Sequence, residues 1–171
     1  MLKKCDAALN EARPVRSIDF SKEELVVLKP LCLITAKPAM FVGNVSETGF
    51  ENNPFLDRLK EYATKQNAPV VAICAKTEAD LADMGDDDKV MFLQEMGQDE
   101  PGLNRLIRSA FKLLGLQTYF TAGVKEVRAW TIHKGDTAPQ AAGVIHGDFE
   151  RGFIRAQTIA CLLYTSPSPR D

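Results

Sequence analysis

The chain has 171 residues, 45% of them hydrophobic and 26% charged, which is enough for one domain or two small ones of a soluble globular kind. A net charge of −2 and a pI near 5.8 argue against nucleic-acid binding through overall charge, so any RNA contact is expected to be local and DNA is not an expected partner. No apolar run approaches the length of a signal peptide or a membrane span, and the chain reads as cytoplasmic with no membrane partner.

From the N-terminus, Leu2 to Ala12 carries helix formers with apolar positions at 2, 5, 8 and 9. A second helix is announced by Ser21-Lys22-Glu23-Glu24, a capping box in which the Ser hydroxyl and the Glu carboxylate each satisfy a backbone N–H. Its apolar face is predicted at Leu25, Val26 and Leu28, with Pro30 removing a donor and ending it.

Between Pro38 and Lys76 two apolar runs, AMFVGNV and APVVAICA, lack alternation, as expected of strands covered by helices on both faces. Asn53 can cap an intervening helix with Pro54 at its first position and an apolar stripe of Phe55, Leu56, Leu59 and Tyr62. Strand, helix, strand implies a parallel βαβ unit. One or two short helices follow over Glu78 to Met96, with Asp86-Asp87-Asp88 read as a solvated helix start because a calcium loop's alternating ligands and turn glycine are missing.

Pro101 to Leu114 is a further predicted helix, with Leu103, Leu106, Ile107, Phe111 and Leu114 facing a core and Gly115 as its stop. Thr118–Ala122 and Val127–Ile132 then read as two strands around a glycine-containing turn, Ala138–His146 as a helix, and Ile154–Ile159 as a third strand. On the second strand Arg128, Trp130 and Ile132 share a face; Trp130 is either sheet core, the reading favoured here, or a stacking platform for RNA. The four cysteines, Cys5, Cys32, Cys74 and Cys161, form no CxxC pair, Cys74 reads as a core residue, and His133 and His146 have no partner at ligand spacing, so no metal site is expected.

The segments LITAKPAMFVGNVSE, GFENNPFLDRLKEYA, QEMGQDEPGLNRLIRSAFKLLGLQTYFTAGVKEVRAWTI and the stretch from Phe120 to Arg155 are not dictated by any periodicity, and together they closely resemble the YchF/Obg-like ATPases, P-loop NTPases with a C-terminal TGS domain. The resemblance runs from about Leu25 to Ile159. It implies an α/β fold: the end of a helical arm at 1–36, the C-terminal half of an OBG-type P-loop NTPase (G) domain at 37–115, and the N-terminal half of a β-grasp, ubiquitin-like TGS domain at 116–160. Residues 161–171, CLLYTSPSPRD, break it and read as a non-native-looking, disordered tail.

The resemblance further implies ATP hydrolysis with Mg²⁺, as a ribosome-associated switch that contacts the ribosome or rRNA. The family's phosphate-binding run, GxxxxGK(S/T), has no match in these residues, so the chain is expected to be an internal fragment, inactive alone, with no catalytic residue or magnesium ligand to name. The alternative is a non-enzymatic RNA- or ribosome-binding TGS module. Strands deprived of family neighbours are expected to leave open edges and poor solubility.

The expected nucleotide site lies at Asn44-Val45-Ser46-Glu47, just after a buried strand, where open α/β sheets place ligands. GTPases carry Asn-Lys-x-Asp there, the Asp accepting two hydrogen bonds from guanine. Glu47 stands one methylene longer at that Asp and Val45 replaces the Lys, so strict guanine selection should be lost. Asn44, a donor and an acceptor, can pair with the N7 and N6 edge of adenine. Cys74-Ala75-Lys76 follows the next strand and matches the family's Ser-Ala-Lys, with the Ala75 backbone at the base edge and the Lys76 stem along its face. One failed match in such a site costs roughly 1–3 kcal/mol, enough to turn preference towards ATP, the nucleotide the resemblance also implies. Without the resemblance, Asn and Glu after a strand read as a helix cap or a solvated turn.

Overall fold

Local capping decides where several of the helices begin. The structure, a computed structural model, describes residues 1–160; the predicted tail at 161–171 and Cys161 lie outside the described residues. The chain divides into two compact units, the first Met1–Leu114 and the second from Gly115 onward.

The first unit opens with α1 (Leu2–Asn10) and α2 (Lys22–Leu28), joined through a 3-10 turn at Val15–Ser17. The capping box forms as expected: Ser21 Oγ accepts from Glu24 N at 3.2 Å, and Ser21 N donates to Glu24 Oε2 at 3.1 Å. Lys4 Nζ reaches the same carboxylate at 2.8 Å, tying α1 to α2. Cys5, Val15 and Leu28 bury against one another beneath these helices. The predicted face of α2 is only partly realised, because Leu28 is buried whereas Leu25 and Val26 are exposed. Pro30 sits in a 3-10 turn, Lys29–Leu31, that continues the helix briefly before Cys32, with a left-handed backbone, ends it.

Next come β1 (Phe41–Asn44), α3 (Pro54–Lys65) and β2 (Val70–Ile73). The strands pair in parallel, Phe41 with Val70 through Asn44 with Ile73, which is the expected βαβ unit. Asn53 caps α3 by accepting from Phe55 N and Leu56 N at 3.1 and 3.2 Å, with Pro54 filling the first position. Gly43 lets α3 approach closely: a Cβ there would stand 3.0 Å from Leu56 Cδ1. In the α3 stripe Leu56 is buried, but Phe55 (77% exposed) and Tyr62 point mainly to solvent. Tyr62 still meets Phe41 edge to face at 5.5 Å.

After β2 follow α4 (Ala75–Ala82), α5 (Asp86–Glu95) and α6 (Gly102–Leu114). Asp86, Asp87 and Asp88 occupy the first turn of α5, where carboxylates complement the helix dipole. Residues alternate faces along a strand, so α3 at Gly43 and α6 at Ile73 cover opposite sides of the two-stranded sheet. Of the predicted core face of α6, Leu103, Ile107 and Leu114 are instead about half exposed, because among the described residues β1 and β2 pair only with each other and supply too little sheet to cover them. Gly115 adopts φ +64 and ends the helix, as read from the sequence.

The second unit is a hairpin, β3 (Leu116–Ala122) antiparallel to β4 (Val127–His133), followed by α7 (Ala138–Ile145) and α8 (Gly147–Arg151). Tyr119 OH donates to Ala141 O at 2.9 Å, fixing α7 over the Tyr119, Trp130 and Ile132 face, and burial pushes that phenol's pKa up. Ile132 is buried and Trp130 half-buried, its Nε1 donating to Thr121 Oγ1 at 2.9 Å and the Arg128 guanidinium 4.3 Å from its ring. The opposite face exposes Phe120 and Val127. The predicted third strand over Ile154–Ile159 does not form: α8 occupies the chain just before it, no ladder reaches these residues, and Ile154 and Ile159 are exposed. A strand is stable only with a partner, and β3 and β4 pair with each other alone among the described residues.

Lys4 and Ser21 together depress the Glu24 pKa from 4.5 to about 2, the Lys4 hydrogen bond being the larger cause. A carboxylate with a lowered folded-state pKa contributes stability that is complete above 4.5 and is lost as pH falls towards 2. Carboxyl NMR titration should find Glu24 among the most acidic groups, and Lys4→Ala should move its midpoint back towards 4.5.

Candidate functional site

The carboxyl ends of β1 and β2 lie side by side, and a loop leaves each. Val45 N donates to Ile73 O at 2.8 Å, carrying the parallel ladder one step past β1. The decisive contact comes from Asn44, whose Oδ1 accepts from Ala75 N at 3.0 Å. Ala75 is the first residue of α4, and Cys74 at its N-cap supplies no side-chain bond. Asn44 therefore satisfies an otherwise orphaned helical N–H from a neighbouring strand, and joins the two loops that the sequence places 30 residues apart.

The same two loops meet again at their outer ends. Lys76 Nζ donates to Glu47 Oε1 at 2.9 Å, with both side chains largely exposed. This hydrogen bond, then the charges of Glu47 and Asp80, raise the Lys76 pKa above its usual value. The ammonium is thus charged throughout the neutral range.

Asn44, Val45, Glu47, Cys74 and Lys76 line one open depression of about 410 Å³, within the range of roughly 300–1,000 Å³ typical of small-ligand sites. Ala75 stands at its edge through its bond to Asn44. Cys74 is buried, as the sequence reading proposed. Ser46, which the predicted motif contained without a role of its own, and Thr48, which sequence reasoning did not single out, also line the depression. The β1 loop is braced from behind by Asn53 Nδ2, which donates to Gly49 O at 2.9 Å.

Glu78, read from the sequence only as the start of a helical stretch, holds the surrounding helices: its two oxygens accept from Gly102 N at 2.7 Å and Leu103 N at 3.1 Å, capping α6 from α4. A separate, apolar cavity of about 330 Å³ near Val15, Phe20 and Leu28 lies away from the strand ends. No helix among the described residues is long and apolar enough to cross a membrane.

A parallel βαβ unit with joined loops beyond its strand ends marks the first unit as part of an open α/β fold of the kind that binds ligands at its strand ends. Comparison with known proteins agrees. Residues 116–166 match the family model YchF-GTPase_C, described as a protein of unknown function (DUF933). The chain is 57% identical over 160 residues to the ribosome-binding ATPase YchF of Escherichia coli O157:H7 and 48% identical over 166 residues to that of Bacillus subtilis strain 168. In both cases 94% of this chain is covered and 44% of the relative. The solved YchF GTPase of Schizosaccharomyces pombe superposes with a TM-score of 0.80 at 33% identity, over 90% of this chain and 42% of that one. The chain belongs to the YchF family, and spans less than half the length of the relatives it matches.

Removing the strand-to-helix bond with Asn44→Ala should destabilise the first unit by about 1 kcal/mol, the net worth of one such bond. Amide hydrogen exchange at Ala75 should accelerate while the β1–β2 ladder stays protected; unchanged exchange would show that the bond is not formed in solution.

Proposed function

We propose that this chain supplies the base-recognising part of an adenine-nucleotide site in a ribosome-binding ATPase. The observation that carries this reading is the Asn44–Ala75 bond, which fixes the two post-strand loops as one depression where α/β folds bind ligands. A purine ring would lie across the depression with Val45 as apolar cover, the Lys76 stem along its face, and the Asn44 amide at its N7 and N6 edge. One lone pair of Asn44 Oδ1 is spent on Ala75, which leaves the second for the N6 amine and Nδ2 as a donor to N7.

Support for adenine over guanine comes from Glu47, which is longer than the aspartate of guanine readers and is turned to Lys76. The relatives' names differ on this point, ATPase for the bacterial proteins and GTPase for the yeast structure, so the preference belongs to the chemistry of these residues. Phosphates and magnesium would be held by a glycine-rich loop outside these residues. The depression itself does not fit a magnesium ion, since its one carboxylate, Glu47, is already paired with Lys76. Hydrolysis is thus a property proposed for the whole protein, in the cytoplasm, and not for these side chains.

For the ribosomal partner, the second unit supports local phosphate contacts through exposed Lys125, Arg128, Lys134 and Arg155, in the β-grasp-like region read as part of a TGS domain. Such contacts would weaken steeply with salt.

Because the base contacts lie within this chain, AMP titration followed by amide NMR tests the reading directly. AMP should bind weakly, on the order of 1 mM, as expected without phosphate contacts, and should shift the Asn44 side-chain amide and the backbone amides of Val45 and Lys76. Asn44→Ala should weaken binding by about tenfold. Shifts confined to residues elsewhere, or none at all, would refute the site.

A further inference from the structure

We infer that the Lys76–Glu47 ion pair is a base selector of this site, acting beside Asn44: Lys76 holds the one carboxylate that could read guanine and so withdraws it from the base. This rests on the base-binding reading above and asks what, within that depression, chooses between the two purines.

Most of the lining cannot choose. The Nδ2 donor of Asn44 suits N7, which adenine and guanine both carry, although its Oδ1 favours the N6 amine of adenine over the O6 acceptor of guanine and so makes one part of the choice. The backbone N–H of Val45 is committed to Ile73 O, and that of Ala75 to Asn44 Oδ1. Ser46 and Thr48 hydroxyls each donate or accept as required and impose no preference. Cys74 is a buried, weakly polar thiol.

Glu47 is different, because an ionised carboxylate only accepts. Guanine presents two adjacent donors, N1–H and the N2 amine, and satisfying both takes both carboxylate oxygens. Adenine presents an acceptor at N1, which a free carboxylate would repel. A free Glu47 therefore favours guanine. In this structure its Oε1 lies 2.9 Å from Lys76 Nζ, so one of the two oxygens is occupied and the charge is compensated. This hydrogen bond to Glu47 is also the largest cause of the raised Lys76 pKa. The backbone supports the pairing as well, because the Asn44–Ala75 bond sets the two loops at the separation the side chains bridge. Both groups are exposed, so the pair is modest in strength and the selection it imposes is modest too.

The experiment compares AMP and GMP binding by NMR titration of this chain as wild type, K76M, E47Q, the K76M/E47Q double variant and N44A. Methionine keeps the apolar stem of Lys76 and removes its charge. Wild type should prefer AMP, and K76M should shift the AMP-to-GMP affinity ratio towards GMP by about two- to fivefold, the range open to an exposed pair. The double variant should cancel that shift, because the amide that replaces the carboxylate keeps a single uncharged acceptor oxygen and cannot take both guanine donors. If N44A weakens AMP binding yet K76M leaves the ratio unchanged, the selector is refuted while the base site stands. If neither nucleotide binds wild type, or N44A has no effect on binding, the base site itself is refuted and the selector with it.

Discussion

One side chain bridges what the backbone alone leaves apart. The parallel ladder brings β1 and β2 together but stops at their carboxyl ends, where each chain departs into its own loop. Asn44 Oδ1 crosses that gap to the first N–H of α4, which has no cap of its own. The bond satisfies an orphaned donor and sets the spacing between the loops. The Glu47–Lys76 pair, the depression and the start of α4 all depend on that spacing, and Glu78 extends the constraint by holding α6 from α4.

The signals that were legible in the sequence are local ones. Ser21 with Glu24, Asn53 with Pro54, and Gly115 each act within a few residues, and each performs its expected role. The parallel pairing of the two strands was also legible, because unbroken apolar runs flanking a helix admit few topologies. What failed depends on distant partners. Leu25, Val26, Phe55 and Ile107 lie on apolar stripes drawn correctly by periodicity, yet remain exposed because periodicity says which residues share a face and not what covers it. The strand expected over Ile154–Ile159 fails for the same reason, since β propensity without a ladder partner makes no strand.

At the site, the sequence pointed to the residues but not to how they divide the work. Asn44, Val45, Glu47, Cys74 and Lys76 were singled out together and line one depression, with Ala75 bonded at its edge. Their hydrogen bonds to one another could not be read from spacing. Asn44 spends part of its bonding capacity on the fold, so structural support and the base recognition proposed for it fall on the same amide. Glu47 has one of its two oxygens bound by Lys76, a pairing that the residue types alone did not announce. Family membership rests independently on identity across 94% of the chain and on the structural match.

The central claim is that the two post-strand loops form a purine-binding surface held together by Asn44. Intermolecular nuclear Overhauser effects between AMP and the labelled chain test it most directly. The account predicts contacts from the adenine protons to the Val45 methyls and the Lys76 side-chain methylenes, with the Ala75 amide still protected from exchange. Contacts instead to the apolar cavity around Val15, Phe20 and Leu28, or a freely exchanging Ala75 amide in the complex, would contradict it.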